Sequence, residues 1–108
     1  MSENELAKQF HQAMLEIYKA ALDECRYRPT RFLQMVTEHG GVEAAKILIN
    51  AQEPSDGFTR LWECERLDLT VEAHSIKPEF AKLFTEEERQ KARSRLEEYG
   101  YQFEEEQE

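Results

Sequence analysis

A chain of 108 residues with 40% hydrophobic and 34% charged side chains has the size and balance of one globular domain. It contains no run of about 18 apolar residues, so no membrane-crossing helix is expected. The net charge of −9 opposes phosphate binding by the chain as a whole, because such binding relies on lysine and arginine displacing counterions.

That charge is unevenly placed. Glu97, Glu98, Glu104, Glu105, Glu106 and Glu108 follow the last arginine, Arg95, and leave the preceding body at only −3 (−9 + 6). The domain is therefore expected over 1–103, with 104–108 as an acidic tail that has the composition of a disordered segment. The start, Met1-Ser2-Glu3-Asn4-Glu5, is acidic and lacks an apolar signal-peptide core, which points to the cytoplasm. Cys25 and Cys64 lie far apart in predicted helices and are expected as reduced, buried, inert thiols.

Ser2 followed by Glu5 reads as a capping box. Behind it Leu6, Phe10, Met14, Ile17, Ala21 and Cys25 recur at helical spacing, predicting a helix over 3–25. Pro29 breaks that helix and suits the start of another. The second helix is expected over 30–39, with Thr30 as a weak cap, and Gly40-Gly41 ends it. A third is expected over 42–51. The loop Glu53-Pro54-Ser55-Asp56-Gly57 leads to a short helix through Phe58, Leu61 and Trp62, capped by Ser55 or Asp56.

A further helix is expected over 69–76, capped by Asp68 or Thr70, with a short strand over 67–71 as the weaker alternative. Pro78 to Phe84 reads as one or two helical turns. Thr85 with Glu88 is a second capping box, and the acids of the first turn precede Arg89, Lys91, Arg93 and Arg95, an order that complements the helix dipole. This helix should run over 86–98 and stop at Gly100. The fold class is all-α: a compact bundle of about six helices with a long first helix, two short helix-turn-helix pairs and a closing last helix.

The two pairs show a partial internal repeat. Thr30-Arg31-Phe32-Leu33 leads to Val42-Glu43-Ala44, and Thr59-Arg60-Leu61-Trp62 leads to Val71-Glu72-Ala73, with equal separations (42 − 30 and 71 − 59). The segments Arg28-Pro29-Thr30-Arg31-Phe32-Leu33-Gln34-Met35-Val36, His39-Gly40-Gly41, Ser55-Asp56-Gly57-Phe58-Thr59-Arg60-Leu61-Trp62-Glu63, Arg66-Leu67-Asp68-Leu69-Thr70-Val71-Glu72, Leu83-Phe84-Thr85 and Tyr99-Gly100-Tyr101 resemble a small all-helical family of bacterial proteins. The resemblance spans roughly residues 18 to 101. It implies a bacterial cytoplasmic setting, carries no activity with it, and implies no catalytic residue.

The residues themselves offer little chemistry. His11, His39 and His74 lack metal-ligand spacing to each other or to the cysteines, and there is no phosphate-cradling glycine loop or nucleophile elbow. No catalytic, cofactor-binding or metal-binding residue is assigned, and no enzyme is expected. A bundle of this size is not expected to enclose a deep pocket. The exposed faces of the second helices, Glu43, Lys46 and Asn50 in one pair and Glu72, His74 and Lys77 in the other, are poorly equipped to read DNA bases.

Arginine is the more informative residue. Arg26, Arg28 and Arg31 cluster beside Tyr27, and Arg60 holds the place in the second unit that Arg31 holds in the first. Internal pairing of Arg31 and Arg60 with Glu43 or Glu72 is the favoured reading, since the guanidinium fork suits a partly buried carboxylate. The expected function is a non-enzymatic protein-interaction module, a homodimer or a subunit of a larger assembly, with Tyr101 and Phe103 as a second contact patch. The alternative is nucleic-acid binding through Arg26, Arg28, Arg31 and the basic side of the last helix (Arg89, Arg93), with the tail as competitor.

Overall fold

A computed structural model describes residues 2–103, and the predicted acidic tail lies outside the described residues. Six α-helices and two 3-10 segments follow in order: α1 (Glu3–Cys25), α2 (Thr30–His39), α3 (Gly41–Asn50), α4 (Asp56–Glu63), Leu67–Leu69 in 3-10 form, α5 (Val71–Ser75), Pro78–Leu83 in 3-10 form, and α6 (Glu86–Glu98). The all-α expectation holds. The radius of gyration of 13.0 Å is that of a compact chain of about 100 residues.

Phe10, Met14, Ile17 and Ala21 form the buried stripe of α1, spaced one turn apart. They meet Val36 of α2, Ala44, Ala45 and Ile49 of α3, and Phe80, Leu83 and Phe84 from the segment after α5. Phe10 stands edge-on to both Phe80 (5.0 Å) and Phe84 (5.1 Å). Burial of side chains of this size stabilises by about 1.5–3 kcal/mol each, so this one stripe holds three neighbours to α1. A smaller cluster gathers Phe58, Leu67, Ala73 and Leu96, with Tyr99, Tyr101 and Phe103 packed against it. Tyr101 and Phe103, expected as a contact patch, are partly buried against this cluster, and Trp62 of α4 is 43% exposed.

The caps explain most boundaries. Ser55 and Thr70 accept from the amides of Phe58 and Ala73, and Thr85 with Glu88 forms the full reciprocal box. Thr30 does not cap α2; Pro29 precedes it and no side chain satisfies that end. Gly40 sits at φ 87°, ψ 157°, a conformation that strains any side chain. Gly41 then opens α3 against α1: a Cβ there would lie 2.6 Å from the Cα of His11. Its amide donates to His11 Nδ1 at 2.9 Å, so that histidine serves a helix start. The 67–71 stretch is 3-10 turn and helix start, and no strand occurs among the described residues. The repeat does not hold in helix register, for Thr30 opens α2 while Thr59 lies inside α4.

A cleft rimmed by arginines

The connection from α1 to α2 is pinned on one side. Arg26 ends α1 in the left-handed conformation (φ 54°), which turns the chain sharply. Next to it Cys25 is disulfide-bonded to Cys64 at the end of α4, with a Cα–Cα distance of 5.8 Å. This corrects the expectation of two free thiols. The separation of 39 positions gave no hint, because the ends of α1 and α4 meet only in three dimensions. Glu24 pairs with Arg66 at the same junction, and the Arg60 guanidinium lies 4.7 Å over the Tyr27 ring.

Beyond this junction opens a cleft of about 500 Å³. That volume lies in the usual range for ligand pockets, contrary to the expectation for so small a bundle. Its walls are apolar: Ile17 and Ala21 from α1, Phe32 and Met35 from α2, Leu48 from α3, Phe58 and Leu61 from α4, and Val71 from α5. Arg28, Pro29, Thr30 and Arg31 line it from one side, and Pro54, Ser55 and Asp56 from the other.

Arg26, Arg28 and Arg31 are exposed, and none pairs with a carboxylate among the described residues. The expected pairings of Arg31 and Arg60 with Glu43 or Glu72 are not formed. Arg60 faces Glu63 at 3.8 Å, on its own helix. Glu72 is 2% exposed and takes Arg95 instead. Lining the cleft there are two guanidinium groups, Arg28 and Arg31, against the single exposed carboxylate of Asp56.

Glu72 lines the cleft from within. Its Oε2 accepts from Arg95 Nη1 at 2.9 Å. Arg95 also donates to the carbonyls of Leu48 (3.2 Å) and Ala51 (2.8 Å), so one guanidinium ties α6 to the end of α3 and to α5. Burial pushes the Glu72 carboxyl above the ordinary carboxylate range, and the Arg95 hydrogen bond opposes that rise without cancelling it. Sequence reading placed Glu72 on an exposed recognition face. The only available signal was its position between Val71 and Ala73, and a five-residue helix is too short to display a periodicity.

The remaining candidates lie apart from the cleft lining. Arg89 turns inward and donates from Nη2 to the Ile76 carbonyl at 2.9 Å. Arg93 stacks 4.5 Å over Phe103, which is edge-on to Tyr101 at 5.1 Å. His74, also expected on an exposed face, is half-buried with Nδ1 2.9 Å from the Thr70 carbonyl, and burial lowers its pKa. Among the described residues there is no group of three or more His, Cys, Asp or Glu placed to hold a metal ion. No helix among them is long and apolar enough to cross a membrane. The chain matches no protein-family model, no curated protein and no solved structure.

Proposed function

We propose that this chain is a non-enzymatic protein-interaction module whose cleft takes an acidic segment of a partner protein. The observation that carries the reading is the pairing of apolar walls with Arg28 and Arg31, two exposed guanidinium groups that have no carboxylate partner among the described residues. An apolar side chain of the partner enters the cleft, and flanking carboxylates meet the arginines, whose planar forks suit them. Interfaces favour arginine and aromatic groups in this way. The proposed setting is the bacterial cytoplasm.

A labelled peptide with one aromatic residue between two acidic pairs is the direct probe. It should bind the protein, bind less well as salt rises, and lose most of its affinity to an Arg28→Ala/Arg31→Ala variant. Unchanged affinity in that variant overturns the reading. The same titration with a single-stranded oligonucleotide decides the nucleic-acid alternative, which predicts a steep salt dependence. That alternative is weakened by two contacts. Tyr27, the ring beside the arginine cluster, is covered by Arg60, and Arg89 is bound to the Ile76 carbonyl. Mass measurement by light scattering separates self-association from binding of a different chain.

A further inference from the structure

We infer, resting on the docking reading of the cleft, that the Cys25–Cys64 pair is its redox switch. Oxidised, the pair fixes the arginine rim for an acidic segment. Reduced, it releases that rim and lowers the affinity.

The bond joins the last residue of α1 to the residue that ends α4. Both rims of the cleft, Arg28 to Arg31 and Pro54 to Asp56, lie between the two cysteines in sequence, as do its walls from α2, α3 and α4. One covalent bond therefore closes a loop that carries most of the cleft lining, and its cleavage returns freedom to that loop. The backbone beside the bond is poised to use it. Arg26 and Glu65, directly after the two cysteines, are the two non-glycine residues of positive φ among those described (54° and 64°). Residues with a side chain keep that conformation only where their surroundings impose it. Only Tyr27 separates Arg26 from Arg28, so relaxation at Arg26 moves the rim itself.

Two observations separate a switch from a staple. Both cysteines are half-buried, which gives a reductant access without global unfolding. The junction also has ties that do not depend on the bond. Glu24 pairs with Arg66, Arg60 lies over Tyr27, and Phe58 and Leu61 are buried. Reduction therefore loosens the connection while the helices stay packed. In the proposed cytoplasmic setting, a disulfide is usually a transient, redox-sensing bond.

The reductant is a dithiol. One of its thiolates attacks a sulfur of the pair, forms a mixed disulfide and expels the other cysteine as a thiolate, which takes up a proton. Its second thiol, deprotonated in turn, displaces the remaining cysteine. The dithiol loses two electrons and two protons and becomes a cyclic disulfide, and Cys25 and Cys64 end as two thiols.

The test is calorimetric titration of the full chain with the acidic peptide carrying one aromatic residue, before and after treatment with dithiothreitol. Alkylation and mass measurement count the thiols, and circular dichroism follows the helices. Both cysteines should become thiols without denaturant, the helical signal should persist, and affinity should fall at least about fivefold, the low end of coupling between two sites. Reoxidation should restore it. By reciprocity, saturating peptide should shift the thiol–disulfide equilibrium toward the disulfide by the same factor. A folded, reduced protein of unchanged affinity overturns the switch and leaves the docking reading intact. A bond that yields only in denaturant, or a chain that unfolds on reduction, makes the pair a staple and also overturns the switch. An oxidised protein that does not bind the peptide overturns the docking reading and the switch together.

Discussion

The two sides of Glu72 treat charge in opposite ways. On the α6 side, basic groups are bound into the fold. Arg95 holds Glu72 and two carbonyls. Lys46 pairs with Glu88 at 3.0 Å, Asn50 donates to the same carboxylate, and Lys91 donates to Asn50. On the cleft side, Arg28 and Arg31 are exposed and form no ion pair with a carboxylate among the described residues, although the chain carries 23 acidic side chains. An abundance of acids makes an unpaired arginine informative: pairing was available and the fold does not use it. The α6 side is where charge is paired within the structure, and the cleft lining is where it is not.

The strongest way to break this contrast is Arg95→Met. It leaves Glu72 buried without its cation and removes the donor to the Leu48 and Ala51 carbonyls. Loss of one partner of a buried pair costs about 3–5 kcal/mol, read by urea unfolding. A loss below about 1 kcal/mol would mean that the pair does not hold α5 and α6 together.

The cysteine pair comes next. Reduction, or the Cys25→Ser/Cys64→Ser variant, should lower stability by about 3 kcal/mol, because the bond closes a loop spanning 39 positions. The same unfolding curve, run with and without reductant, checks it. An identical midpoint in both conditions would show that the bond contributes nothing to the folded chain.

Glu88 gives a smaller, pH-dependent effect. Burial raises its pKa, but the Thr85 amide, Lys46 and Asn50 outweigh that and bring it down from 4.5 to about 2. Its contribution is therefore fully present above about pH 4.5 and is lost as pH falls toward 2. A Glu88→Gln variant should unfold about 1 kcal/mol more easily at pH 7, the usual scale of a lost cap, and the difference should shrink at pH 2 to 3. A difference that stays constant across this range would remove the charge from the explanation.

The fold was legible in the sequence where periodicity was long or capping was strong. The 23-residue α1 and the Thr85–Glu88 box placed the first and last helices at their observed bounds. The site was legible only in part. The arginine cluster was visible, and its Arg28 and Arg31 do line the cleft. Its pairing was misjudged, because matching an arginine to an acid along the chain ignores which helix supplies the nearest carboxylate. Arg60 found Glu63 three residues away, and Glu72 found Arg95 on α6. The cleft and the disulfide were invisible for a related reason: both arise where separate helices meet, and no local pattern records that.

The smallest expected effect on stability is also the most decisive for function. Arg28→Ala/Arg31→Ala removes two exposed side chains with no partner to lose, so unfolding should change by no more than about 0.5 kcal/mol. We would measure, on this one variant, the urea midpoint and the affinity for the labelled acidic peptide with one aromatic residue. An unaltered midpoint with affinity reduced about tenfold or more is the predicted result. An unaltered affinity, or a large loss of stability, would contradict the claim that these arginines are held for a partner and not for the fold.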